Sequence, residues 1–256
     1  MSAVFFSMAV VIAGGFFLVQ EQKKQSRLHV TAEHSVDMKG GHQTVTRQDK
    51  EYRRNAQSTA ILFARTGGAE ALQETAESGN DTCLEEISLI ILDKKQKLIN
   101  VLQIPSNMAV ASDGTEPAGI VLQEVYSRET DAESGCEALV QAVSELIGGI
   151  PINEYVVADQ NTGIHMPDYI ETLKGKLKGD PNVLLQELQA MKQDLQTSIT
   201  KNEYMQLAEF LETFAESETV CHELPLAVED GEDGSSCEAD EEALQQLILD
   251  LFYEEI

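Results

Sequence analysis

The sequence predicts an α/β layered sandwich preceded by a membrane helix. Three observations carry this. Short apolar runs of strand length mix along the chain with longer stretches whose apolar residues recur at helical spacing. Apolar residues make up 42% of the 256 positions, enough for a real core. The chain opens on Ala3 to Val19, a run in which Ser7 is the only polar side chain. With no Trp and 5% aromatics, the core must be mostly aliphatic.

Charge narrows the function. With 44 acidic and 18 basic residues, the formal net charge is −26. A nucleic-acid binder that neutralises phosphates with Lys and Arg is therefore excluded. The charge is uneven. Residues 21–56 carry a net charge of +3, which leaves −29 for residues 57–256. No Lys or Arg follows Lys201, whereas 17 acids do.

Residues 1–20 read as a membrane anchor. An apolar run of this length lies at the short end for a bilayer span. No small-x-small cleavage site follows, so an anchor fits better than a cleaved signal. Lys23, Lys24 and Arg27 come directly after the run. The positive-inside rule would then hold the bulk of the chain in the cytoplasm. Residues 21–56 lack apolar periodicity and read as a linker or stalk with little fixed structure. His29, His34 and His42 are too widely spaced for a metal site and read as solvated.

Residues 57–256 read as the folded domain. Ser58 to Ala64 suits a buried strand. Ile87 to Leu92 and Leu98 to Ile104 flank the polar turn Asp93–Lys97 and read as an antiparallel hairpin ending at Pro105. Gly119 to Glu124 and Ile152 to Ala158 are further strand candidates. Ser134 and Glu137 form a capping box for a helix with Leu139, Val143, Leu146 and Ile147 inward, closed by Gly148. Asp180-Pro181 starts a second helix bearing Leu184, Leu188, Met191 and Leu195. Asn202 caps a third. Asp240 caps a fourth, with Leu244, Leu247, Ile248 and Leu251 inward.

Three stretches carry a family resemblance. The hairpin Ile87 to Asn107 ends in Leu102-Gln103-Ile104-Pro105-Ser106-Asn107. The segment Leu139 to Asp159 contains Ile147-Gly148-Gly149-Ile150-Pro151-Ile152-Asn153-Glu154-Tyr155-Val156-Val157. The tail runs from Leu184 through Leu224-Pro225 to Asp240-Glu241-Glu242-Ala243-Leu244. Together they resemble the LytR-CpsA-Psr (LCP) domain, also called the cell-envelope-related transcriptional attenuator domain. The resemblance implies a single layered sandwich with a mixed, largely antiparallel central sheet flanked by helices. It also implies a single-pass membrane protein with its domain outside the cell, in conflict with Lys23, Lys24 and Arg27. A basic leader upstream of Met1 would resolve that conflict.

Family members move wall glycopolymers from a polyprenyl-pyrophosphate carrier onto peptidoglycan. Arginines clamp the pyrophosphate, aspartates help hold Mg²⁺, and an apolar tunnel takes the lipid tail. By resemblance, the catalytic positions fall on Glu85, Ser106 and Asn107, and the lipid pocket on Val143, Ile147 and Leu188. All three catalytic positions are substituted. The family's Arg-x-Asp falls on Cys83, Leu84 and Glu85, its Arg-Asp on Ser106-Asn107, and its Arg-Gln on Leu185-Gln186. Only Asn161 to Asp180 stands where the family has an arginine-rich segment. Arg65 and Arg128 are the only arginines after the linker. Lys174, Lys176 and Lys178 read as a solvated helix end. Glu85 is the one position where a metal ligand would stand, and Mg²⁺ is implied by the resemblance alone.

Phosphoryl transfer is mostly positioning and charge neutralisation, and Arg supplies the bidentate grip. The function expected is thus an LCP-like envelope protein reduced to binding a polyprenyl-linked lipid or wall polymer without turnover. An active divergent phosphotransferase and a protein-interaction module with no ligand pocket are the alternatives. For an exported domain, Cys221–Cys237 and Cys83–Cys136 are the bridges expected. Four Cys allow three pairings, and four reduced thiols suit a cytoplasmic domain. The acidic loop Glu229 to Ser236 fails the EF-hand pattern at Gly231 and Asp240. His222 beside Cys221 would point to the opposite face of a strand, and His165 reads as a lone surface histidine.

Overall fold

The computed structural model describes residues 44–47, 50–67, 83–110, 120–129, 131–177, 195–199, 217–227 and 236–256. Its centre is a six-stranded mixed sheet. Strands β3 (Ser58–Thr66), β4 (Leu84–Asp93) and β5 (Leu98–Ile104) form an antiparallel meander. β8 (Glu154–Ala158) joins β3 in parallel and β9 (Leu195–Thr197) joins β8 antiparallel. β10 (Thr219–Glu223) lies parallel to β5, giving the order β10-β5-β4-β3-β8-β9.

The β4–β5 turn shows why the hairpin forms where it does. Asp93 Oδ1 accepts the N–H groups of Lys95 and Gln96 at 2.8 and 2.9 Å, while Asn55 Nδ2 donates to Asp93 Oδ2 at 3.0 Å. A single carboxylate thus satisfies the turn's backbone donors and ties it to the loop before β3.

Side chains alternate across the sheet and meet different layers. On one face, Leu62, Leu89, Leu102 and Ile104 join the principal core. Covering them are α1 (Leu122–Ser127), α2 (Ala132–Leu146) and α4 (Glu241–Phe252), through residues such as Leu122, Leu139, Val143, Leu244 and Phe252. On the other face, Ile61, Leu92, Ile99 and Val101 meet Ile170 of α3 (Asp168–Leu177). Phe63, Ala158 and Ile164 form a small cluster on that same side.

Two helix ends follow the sequence closely. Asp240 accepts the Ala243 N–H at 3.0 Å as the cap of α4. Gly148, with φ +75°, follows the end of α2 in the left-handed conformation that glycine tolerates. The start of α2 differs from expectation. Asp131, not Ser134, is its cap, accepting the Ser134 N–H and hydroxyl, both at 2.9 Å. With Asp131 as cap the helix begins at Ala132, so Ser134 lies inside its first turn and its hydroxyl donates to the cap instead of serving as one.

Other corrections follow. Within the stretch read as a linker, β1 (Thr44–Arg47) and β2 (Lys50–Arg54) pair with β11 (Tyr253–Glu255) in a separate three-stranded sheet. Strand partners from the far end of the chain, not apolar periodicity, order that segment. Gly119 to Glu124 is not one strand: Ile120–Val121 form the short β7, paired with β6 (Ala109–Val110), and α1 begins at Leu122. The helix expected from Asp180-Pro181 lies outside the described residues except for Leu195, which stands in β9 and not in a helix; the helix expected from Asn202 and the acidic loop residues 228–235 lie outside them altogether.

None of the four cysteines is joined in a disulfide. Cys221 pairs in register with Val101, on the α3 face, while Cys237 packs against the core of the opposite face. A sheet stands between them, so the short span a disulfide needs is closed off. Cys136 is buried in the principal core, and alternation turns Cys83 away from Leu84, which shares that core. Among the described residues no helix is long and apolar enough to cross a membrane, and Ala3 to Val19 lie outside them.

Candidate functional site

An open cleft of about 490 Å³ lies where β4 begins and β5 ends. Glu85, Glu86 and Ser88 come from β4, Gln103 and Ile104 from β5, and Pro105, Ser106 and Asn107 from the turn beyond. His165 and Met166, in the loop before α3, complete the wall. The three positions expected to be catalytic, Glu85, Ser106 and Asn107, therefore share one cleft.

The turn is held from below. Pro105 ends β5, and its carbonyl accepts the Met108 N–H at 3.1 Å. The Ser106 carbonyl accepts from the N–H of Gln123 at 2.8 Å, and the Asn107 carbonyl from the N–H of Cys237 at 3.1 Å. Cys237 Sγ donates to Asn107 Oδ1 at 3.3 Å. The thiol expected in a bridge instead positions a cleft side chain.

The polar wall centres on an arginine behind the cleft. Arg65 stands opposite Glu86 in the β3–β4 register, just before a bulge that shifts the pairing at Thr66. Its Nη1 lies 2.7 Å from Glu85 Oε2, and its Nε 3.5 Å from Glu86 Oε2. Glu86 is also held by the Met166 N–H, 2.8 Å from Oε1, and by His165 Nδ1, 3.3 Å from Oε2. Gly67 makes room for this arrangement: a Cβ there would stand 2.5 Å from Glu85 Cγ. Beneath the cleft, Ser88 Oγ is fully buried with no hydrogen-bond partner.

Sequence reasoning missed Arg65, Glu86 and His165 as a set. The local signal was two acids opening an apolar strand, Glu85-Glu86-Ile87, opposite Phe63-Ala64-Arg65 on its neighbour. A cross-strand ion pair was readable there. His165 was not, because it lies about 80 residues from Glu86 in sequence. His165 is thus not alone. Nor is Lys174 solvated: it is buried, and its Nζ donates to Glu171 Oε1 at 2.8 Å and to the Ser217 carbonyl at 2.6 Å. His222 does point away from Cys221, its Nε2 3.0 Å from Asn100 Oδ1.

No family model matches the sequence, and no curated protein matches it. Solved structures do. A transcriptional regulator from Enterococcus faecalis matches with a TM-score of 0.54 at 14% identity, covering 76% of this chain and 86% of its own. TagV of Bacillus subtilis matches at 0.53 and 14%, covering 76% and 96%. B. subtilis TagT bound to LIIa-WTA matches at 0.50 and 15%, covering 82% and 95%. TagT is a LytR-CPS2A-psr family protein, and a further structure of it holds octaprenyl pyrophosphate lipid. The chain has the LCP fold. At these identities the likeness is one of fold.

Within this LCP fold the expected pocket residues separate from the cleft. Val143 and Ile147 are fully buried in the principal core, on the opposite side of the sheet from Ile170 and His165. Leu188 lies outside the described residues. The residues present do not fit the Mg²⁺ that the LCP resemblance implies. Glu85 and Glu86 already receive guanidinium, imidazole and amide donors, and the remaining polar walls are amides and hydroxyls. Among the described residues, no group of three or more His, Cys, Asp or Glu could hold a metal ion.

Proposed function

We propose that this protein is a cell-envelope protein that binds a polyprenyl-linked lipid or wall-polymer component without turning it over. The observation that carries this is the wall of the cleft. At the positions where the resemblance calls for Arg and Asp, the cleft has Glu85, Ser106 and Asn107, and the guanidinium nearby is neutralised by two carboxylates. Among the described residues lining the cleft, a pyrophosphate would find no free bidentate donor. Losing charge-assisted contacts of that kind costs several kcal/mol of transition-state stabilisation, about a hundredfold or more in rate. The LCP fold itself, shared with TagT and TagV, supports the cell-envelope setting.

In this reading residues 1–20 anchor the chain in the cell membrane and the folded domain lies outside the cell. The apolar side chains expected to meet a lipid tail, Val143 and Ile147, reach it only by opening the principal core.

The test is to incubate the full chain, in detergent, with a polyprenyl-pyrophosphate-linked glycan and Mg²⁺. Native mass spectrometry then measures retained lipid, and a phosphate assay measures release. Retention without release is expected. Release would establish an active phosphotransferase, and absence of both would leave a protein-interaction module.

A further inference from the structure

We propose that Glu85 is a specificity latch: its carboxylate occupies the Arg65 guanidinium and so weakens the hold of the cleft on phosphate. This rests on the reading that the cleft does not carry out phosphoryl transfer. The two carboxylates on Arg65 are not equivalent. Glu86 is 17% exposed and is pinned from three directions, by Arg65, His165 and the Met166 N–H. It is the fixed counter-ion. Glu85 is 46% exposed, lines the cleft, and makes the shorter contact with Arg65. It is an additional, movable anion.

The charge sum makes the difference chemical. Arg65 and Glu86 balance one another in formal charge, and Glu85 adds a second carboxylate to the one guanidinium. A guanidinium pairs with carboxylate or phosphate through the same fork of N–H donors, so an entering phosphate must displace Glu85. Arg65 is only 13% exposed and does not line the cleft, whereas Glu85 does. The latch therefore stands between the cation and the ligand. Gly67 permits this, because any Cβ at that position would collide with Glu85 Cγ. The glycine and the glutamate act together: one leaves the space and the other fills it.

The effect is local, not a consequence of the acidic domain as a whole. Removing one negative charge from a chain of net −26 changes the long-range field slightly. Freeing a guanidinium supplies a charge-assisted hydrogen bond, roughly tenfold in affinity.

The experiment is calorimetric titration of the full chain with sodium pyrophosphate, without metal, at low ionic strength. E85Q is expected to bind about tenfold more tightly than wild type. G67A, which pushes the Glu85 side chain aside without removing its charge, is expected to move affinity the same way by less. E241Q removes an exposed acid on α4 and is expected to leave affinity unchanged. The double variant R65Q/E85Q is expected to lose the gain. The proposal is overturned if E85Q binds no tighter than wild type, if E241Q matches E85Q, or if the gain survives in R65Q/E85Q. Either result leaves the lipid-binding reading intact, because that is measured on wild type with the carrier lipid.

Discussion

The two faces of the central sheet are built for different tasks. The face under α1, α2 and α4 is continuous and apolar, with Leu62, Leu89, Leu102, Leu139, Val143 and Phe252 all buried in one cluster. The face toward α3 holds a smaller apolar cluster, and at the end of β5 it gives way to Glu86, Ser88, Gln103 and His165. Stability is concentrated on the first face and polar chemistry on the second. Substitutions on the thinner side can therefore leave the thicker one undisturbed.

The largest effect is expected from truncation on the thick face. Leu102→Ala should destabilise the fold by about 3–4 kcal/mol, whereas Ile170→Ala on α3 should cost about 2. Denaturant midpoints with unchanged m-values would measure both, and equal losses would erase the distinction between the faces. Next comes Gly135→Ala. A Cβ at Gly135 would meet the Tyr126 carbonyl oxygen at 2.7 Å, so α1 and α2 must move apart, at about 1–3 kcal/mol. The same contact has a pH signature. Burial, followed by the nearby Cys136 and Tyr155, pushes the Tyr126 phenol up to about 12. Folding then keeps the proton that the unfolded chain releases near pH 10. The contribution of this tyrosine to stability is expected to be fully present below about pH 10 and to be lost as pH rises toward 12, measured by thermal melts alongside phenolate absorbance. The smallest effect belongs to the thin face. Ser88→Ala removes a buried hydroxyl with no partner, so stability should stay level or rise by up to about 1 kcal/mol. A loss above that would mean the hydroxyl has a role in the cleft's packing.

Much of the thick face was legible in the sequence, because apolar periodicity records burial. The runs in β3, β4 and β5, the stripe Leu139–Val143–Ile147 and the Asp240 cap all follow from local chemistry. The thin face was half legible. Glu85, Ser106 and Asn107 were singled out by resemblance and share the cleft, but Arg65 comes to stand behind it through the register of β3, and His165 joins its wall from the loop before α3. Strands β1 and β2 could not be read, since Thr-Val-Thr-Arg and Lys-Glu-Tyr-Arg-Arg are almost wholly solvent-facing and leave no buried pattern. The cysteines misled because spacing along the chain says nothing about which side of a sheet each thiol occupies.

The small sheet of β1, β2 and β11 has a consequence for the order in which the molecule assembles. Tyr52 pairs with Glu255, and Arg54 with Tyr253, across some 200 residues of intervening chain. A two-stranded hairpin alone is marginal in water. During synthesis β1 and β2 emerge long before the strand that completes them, while the β3–β4–β5 meander can close as soon as Ile104 appears. The loop entropy of the last pairing grows only slowly with length, but the search for it is long-range and therefore slow. The β1–β2 ribbon, though made early, is thus expected to be among the last of the described parts of the fold to become protected from hydrogen exchange.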